Sequence, residues 1–329
     1  MHLLFIFERS LFMSIYLVLL LFILGIVLII KGGDLFVDAA AWIAEISGIP
    51  KLIIGATIVS FATTLPEMLV SVFAAVEGKV DMAIGNAVGS VTANLGLIMA
   101  ISVICIPSVI KRGDYLSKSV NMLAASLLVV LGGALGSIGL GLSLALFVVL
   151  ALFFYENITA AVQATRCAGA EEKPEFDGKS LAVNILKFVL GAVGIVVGAD
   201  LLVDNGSELA RIVGVSERII GVTLVAVGTS LPELVTTITA IAKKQASLSV
   251  GNILGANILD LTLILPLSNI ISGKPLPIAG ASAMVDLPVC LLVGCIAVIP
   301  ALVSEKFSRW QGVLLLAVYG VYVVFTCMI

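Results

Sequence analysis

The phrase FATTLPEMLV, residues 61–70, returns as VGTSLPELVT at 227–236. Laying Glu67 on Glu233, a shift of 166 residues, aligns 34–98 with 200–264 without a gap. GDLFVD (33–38) then meets ADLLVD (199–204), TTLPE (63–67) meets TSLPE (229–233), GNAVGS (85–90) meets GNILGA (251–256), and Asn94 meets Asp260. Generic apolar similarity would match Leu with Val. Matched Gly, Asn, Pro, Thr, Asp and Glu mark an internal duplication instead, and the fold must be built from two like halves.

Composition decides the solvent of those halves. The chain of 329 residues is 60% hydrophobic and 12% charged, half the roughly 25% charge of a soluble domain, and its mean hydropathy is +1.23. A helix crossing a bilayer needs about 20 apolar residues. On that rule ten spans fall near 15–43, 51–77, 81–106, 118–134, 137–161, 180–210, 217–242, 246–271, 278–300 and 308–327. The polar stretch RCAGAEEKPEFDGK, 166–179, separates five spans from five. The expected organisation is a first repeat over 14–161 with its matched core at 55–98, a linker at 162–179, and a second repeat over 180–329 with its core at 221–264. An odd number of spans per half makes the second half enter the membrane from the opposite side. The repeats are then inverted, as in secondary transporters whose substrate sites lie near the midplane between repeats.

Of the 18 Lys and Arg, five fall on one side of this arrangement and 13 on the other. The positive-inside rule puts the richer side, with the linker, in the cytoplasm and both termini outside. Residues 1–12 lack the basic start and cleavage site of a signal peptide; they read as a disordered or interfacial extension, with Met13 an alternative start. The five cysteines form no CxxC pair and read as small buried hydrophobes. His2 is the one histidine, which argues against a histidine-based metal centre or catalytic dyad. A net charge of −3 points to no nucleic-acid partner.

Charge inside such spans costs roughly 2.5–3.5 kcal/mol per group on insertion scales and marks function by default. Glu67 and Glu233 lie mid-span, and so does Asp260, with no Lys or Arg at similar depth. Protons or bound cations must neutralise them. The neighbouring prolines add ligands. Pro66 has no N–H for the carbonyl of Ala62, nor Pro232 for that of Gly228, and broken backbone at membrane depth is tolerated where it faces protein or a cavity. Thr63 and Thr229 sit four residues before their glutamates, on the same helical face. Asn86, Ser90 and Asn94 share one face of the third span; Asn252 and Asp260 match them on the eighth. The glycines of GNxxG permit close helix approach. The donors are all oxygen, which suits Ca²⁺ and other hard cations. Asp34, Asp38, Asp200 and Asp204 also repeat but lie toward the ends of long helices, where capping or interfacial contacts are expected.

On these residues the chain resembles the sodium/calcium exchanger family of the cation/calcium antiporter superfamily, over nearly its whole length. The resemblance implies an all-α integral membrane protein of ten helices in two inverted five-helix repeats, with helices 2, 3, 7 and 8 broken around a central ion site. It implies that Glu67 and Glu233 bind Ca²⁺ with the carbonyls of Thr63 and Thr229. Na⁺ would use the same glutamates, the carbonyls of Ser60 and Ala226, the Thr63 and Thr229 hydroxyls, and Ser90, with Asn94 and Asp260 flanking. It implies no cofactor, no enzymatic activity, Na⁺ and Ca²⁺ as transported partners, and a monomer in the lipid bilayer whose first and sixth helices slide as a gate. Two positions depart from the family. Ala256 stands where a second serine is typical, removing a hydroxyl; Ser60 replaces a frequent alanine, where only the carbonyl is used. The alternative is a Ca²⁺/H⁺ antiporter on the same glutamates. A cation channel is a rival of another class, and an intramembrane enzyme lacks any HExxH or GxGD motif.

Overall fold

The computed structural model describes residues 2–107, 112–167, 178–214, 228, 230–278, 280 and 282–328. They form α1 (His2–Ser47), α2 (Lys51–Thr63), α3 (Leu65–Val76), α4 (Val80–Cys105), α5 (Arg112–Leu135), α6 (Leu140–Cys167), α7 (Gly178–Ile212), α8 (Leu231–Ala242), α9 (Ala246–Ser272), α10 (Ser282–Ser304) and α11 (Arg309–Met328). Two short strands, β1 (Ser137–Ile138) and β2 (Leu276–Pro277), pair antiparallel across the connections. Eight of these helices are long and apolar enough to cross a bilayer. A ninth crossing comes from α2 and α3, which bend by 46° at Thr64. The seventh expected span is represented by the 12-residue α8; residues 215–227, and with them Ala226, lie outside the described residues.

Two expectations change form. Residues 2–12 continue α1, because no Gly or Pro interrupts the chain before Gly25. The third and eighth spans are not broken: α4 and α9 run through, and each widens into a π-turn, at Asn94–Met99 and Asp260–Ile264. A π-turn keeps the helix intact while loosening its hydrogen-bond ladder, and such turns are frequent at functional sites. Helix α6 runs to Cys167 and α7 starts at Gly178; residues 168–177 lie outside the described residues.

The duplication is visible in backbone detail. The helices Leu65–Val76 and Leu231–Ala242 correspond, and so do the two π-turns, all at the shift of 166. The turn after α3, in which Lys79 N–H donates to Ala74 O (2.8 Å), recurs after α8, where Gln245 N–H donates to Ala240 O (2.7 Å). Gly78 takes the left-handed conformation in the first copy and Lys244 in the second.

Inversion follows from the packing. A methyl group at Gly25 would stand 2.9 Å from Gly198 O, and one at Gly32 would stand 2.8 Å from Gly191 O. Positions advance on α1 as they recede on α7, so the two helices are antiparallel. Gly25 corresponds to Gly191 and Gly32 to Gly198, so the two contacts are copies of each other across a pseudo-two-fold axis. On α9, Gly251 meets the Leu52 carbonyl and Gly255 the Ala56 carbonyl, so α2 and α9 run parallel, as inverted repeats require. The centre is α9, buried without interruption from Leu248 to Leu259, together with α4. Exposed Leu, Ile and Val on α1, α7 and α11 face outward, as expected toward lipid.

Candidate ion site

The elbow at Thr64 sets the site's first wall. Pro66 cannot donate, so the helix restarts one turn later, with Met68 N–H donating to Thr64 O (3.0 Å). The second copy repeats this: Leu234 N–H donates to Ser230 O, also at 3.0 Å. Each restart carries its glutamate in the first turn of the new helix, Glu67 on α3 and Glu233 on α8. The helix N-terminus favours negative charge there. The two carboxylates face each other within interaction distance, and Asp260 lies within electrostatic range of both. Thr63 and Thr64 lie beside Glu233.

All three carboxylates are 1% exposed. Both oxygens of Glu67, both of Glu233 and Oδ1 of Asp260 have no hydrogen-bond partner among the described residues, nor do Ser90 Oγ, Asn94 Oδ1, Thr64 Oγ1 or Ser230 Oγ. Buried polar groups are almost always paired, because an unpaired one costs about 1–3 kcal/mol and a charged one more. The orphan oxygens of the three carboxylates are ones that a cation would satisfy. Among the described residues no three Asp, Glu, His or Cys side chains converge as a metal cluster. An ion there would therefore draw on hydroxyl, amide and carbonyl oxygens around the glutamates.

The neutral residues are held by bonds between the two halves. Thr63 Oγ1 lies 3.2 Å from Asn252 Oδ1 and 3.2 Å from Ser60 O, donating between them. Asn94 Nδ2 donates to Asn257 Oδ1 (3.1 Å). Asn86 instead braces the elbow, with Nδ2 donating to Glu67 O (3.1 Å) and Ser71 Oγ (2.9 Å). Thr229, like Ala226, lies outside the described residues; Ser60, Thr63, Glu67, Ser90, Asn94, Glu233 and Asp260 are all buried.

Three residues escape the sequence reading. Thr64 and Ser230 stand inside the repeated TTLPE and TSLPE phrases, so the repeat itself could have flagged them. Asn257 could not be found that way, because its counterpart is Val91. Away from the centre, Lys243 pairs with Asp38 (2.8 Å) and Asp34 (3.3 Å), tying the end of α8 to α1. Asp200 and Asp204 line a cavity of about 110 Å³ that also touches Pro66, Gly228 and Pro232.

The sodium/calcium exchanger protein family matches this chain over residues 17–159 and 183–328. The chain belongs to that family. Sodium/calcium exchanger MaX1 of Methanosarcina acetivorans is 30% identical over 93% of this chain and 97% of its own length. Inner membrane protein YrbG of Escherichia coli is 35% identical over 90% and 92%. Among solved structures, the sodium-calcium exchanger NCX_Mj soaked with 10 mM Na⁺ and 10 mM Sr²⁺ superposes with a TM-score of 0.77 at 29% identity, covering 94% of this chain and 98% of that one. The same exchanger in 10 mM Na⁺ without Ca²⁺ gives 0.75 at 30% identity. The chain is thus an all-α membrane protein and a cation/calcium exchanger. Its family transports ions, performs no enzymatic chemistry and needs no cofactor.

Proposed function

We propose that this exchanger couples Na⁺ to Ca²⁺ by alternating access, using one central set of ligands for both ions. The observation that carries the reading is the pair Glu67 and Glu233, one from each repeat, buried, within interaction distance of each other and with no hydrogen-bond partner for either carboxylate among the described residues. Together they supply two negative charges, which one Ca²⁺ balances. Thr63, Thr229, Ser60 and Ala226 would add carbonyl or hydroxyl oxygens, Ser90 a hydroxyl, and Asn94 and Asp260 would flank. A hard divalent ion takes six to eight such oxygens. Na⁺ ions competing for the same carboxylates make exchange obligatory, because bare carboxylates resist crossing a dry interior. Only the neutralised site can change sides.

The glycine-lined contact of α1 with α7 supports the moving part. Gly25, Gly32, Gly191 and Gly198 bring backbone against backbone, a smooth stretch that ends at the Phe36–Phe188 ring contact. Sliding of this pair would open the site to each side in turn. The distribution of Lys and Arg supports termini outside and the 162–179 segment in the cytoplasm. Both halves of the ligand set come from one chain, which supports a functional monomer.

A Ca²⁺/H⁺ antiporter is kept as the second reading because Ala256 lacks the hydroxyl that its counterpart Ser90 has. Ca²⁺ uptake into proteoliposomes under imposed Na⁺ or pH gradients separates the two. Uptake driven by the Na⁺ gradient at constant pH is expected. Uptake that follows only the pH gradient would replace Na⁺ with H⁺, and flux indifferent to both would remove the antiport reading.

A further inference from the structure

The symmetry of the chain is imperfect at two paired positions, and the imperfections compensate. At the shift of 166, Ser60 corresponds to Ala226 and Ser90 to Ala256. Packing, not sequence, says which of these positions belong together. The α2 helix lies against α9 through Gly251 and Gly255, so position 60 belongs with position 256. Ser60 therefore stands with Ala256, whose counterpart in the other repeat is Ser90.

Ser60 lies beside the candidate ligands. It is wholly buried, and its carbonyl accepts from Thr63 Oγ1 (3.2 Å), which also contacts Asn252 Oδ1. A methyl group at Gly255 would stand 2.5 Å from its Oγ, so the hydroxyl rests against the α9 backbone one residue before Ala256. Ala256 in turn shares the face of Asn252 and Asp260. The Ser60 hydroxyl donates its proton to Thr57 O (3.1 Å). That leaves its lone pairs free to accept a cation.

We propose that Ser60 Oγ supplies, from α2, the Na⁺-coordinating hydroxyl that Ala256 does not supply from α9, so that both halves of the site keep one hydroxyl ligand. The proposal rests on the Na⁺/Ca²⁺ reading and gives Ser60 a side-chain role in ion selection beyond its carbonyl. Purified full-length protein in detergent, loaded with radioactive Ca²⁺ and titrated with NaCl at fixed pH and ionic strength, reads it directly. Ser60→Ala should raise the Na⁺ concentration for half-displacement about tenfold, the scale of one hydrogen-bond-strength contact to a charged group, a larger factor than its effect on the Ca²⁺ dissociation constant. Ser60→Cys, which keeps the volume but replaces the hard oxygen, should do the same. Adding Ala256→Ser to Ser60→Ala should bring the Na⁺ midpoint back to within twofold of the parent. An unchanged midpoint in both Ser60 variants, or a double variant that binds Ca²⁺ normally but shows no recovery, overturns the role of Ser60 and leaves the Na⁺/Ca²⁺ reading standing. Failure of Na⁺ to displace Ca²⁺ from the parent protein overturns both.

Discussion

Gly251→Ala is the sharpest test of how the ion site is held open to the right width. A methyl group there would run into the Leu52 carbonyl oxygen and stand 3.0 Å from Ala56 N and Leu52 C. All three atoms are helix backbone, so no rotamer change relieves the clash. Ordinary carbon contacts lie at about 3.5–4.0 Å, so α2 and α9 must part by about 0.5 Å at Ala56 and by about 1 Å at Leu52. The contact from Thr63 Oγ1 to Asn252 Oδ1, now 3.2 Å, would stretch to about 4 Å, beyond hydrogen-bonding range. Overpacking of this kind costs about 1–3 kcal/mol, and a displacement of about 1 Å in a preorganised site can cost about 10²-fold in function. The variant should therefore fold, melt at a lower temperature, and need far more Ca²⁺ for half-maximal uptake in proteoliposomes. Gly141→Ala on α6, with no described neighbour within 4 Å, serves as the control and should behave like the parent. If Gly251→Ala keeps the parent's Ca²⁺ half-saturation and rate, the close approach of α2 to α9 is not what positions the ligands.

Replacing Glu67 or Glu233 by Gln should abolish Ca²⁺ uptake, yet should not lower the melting temperature of the ion-free protein, because neither carboxylate has a hydrogen-bond partner among the described residues; a marked loss of ion-free stability would point to a structural role. Asn257→Ala removes the acceptor of Asn94 Nδ2; with that buried donor left unpaired it should cost about 1–3 kcal/mol and weaken Ca²⁺ binding, and unchanged binding would separate Asn257 from the site. A methyl group at Gly96 would stand 2.7 Å from Tyr319 Cβ and 2.9 Å from its ring, so Gly96→Ala should destabilise the protein by about 1–3 kcal/mol and Tyr319→Ala should recover part of it in a thermal-shift assay. Lys243→Gln breaks two partly exposed ion pairs with Asp34 and Asp38, worth at most about 1 kcal/mol each; the loss should shrink as salt is added.

The residues argue for a clear division between what is legible in one dimension and what is not. The membrane setting, the spans and the two acidic centres follow from the sequence, because apolar length and a buried carboxylate carry their meaning locally, and because each copy of the repeat cross-checks the other. Glu67 and Glu233 identify each other in this way. The elbow before each of them is likewise written in the adjacent proline. Tertiary structure decided what depends on which helix lies against which. It made α4 and α9 continuous helices with a π-turn where breaks are the natural reading, since a π-turn leaves no Gly or Pro signature of its own. It brought Asn257 to Asn94 and Asn252 to Thr63, pairs separated by 163 and 189 residues, for which no local spacing exists. It placed Ser60 beside Ala256, so that a missing hydroxyl on one helix is read together with an extra one on another. A single chain records which side chains are present at each depth; only the crossing of the two repeats determines which of them lie together.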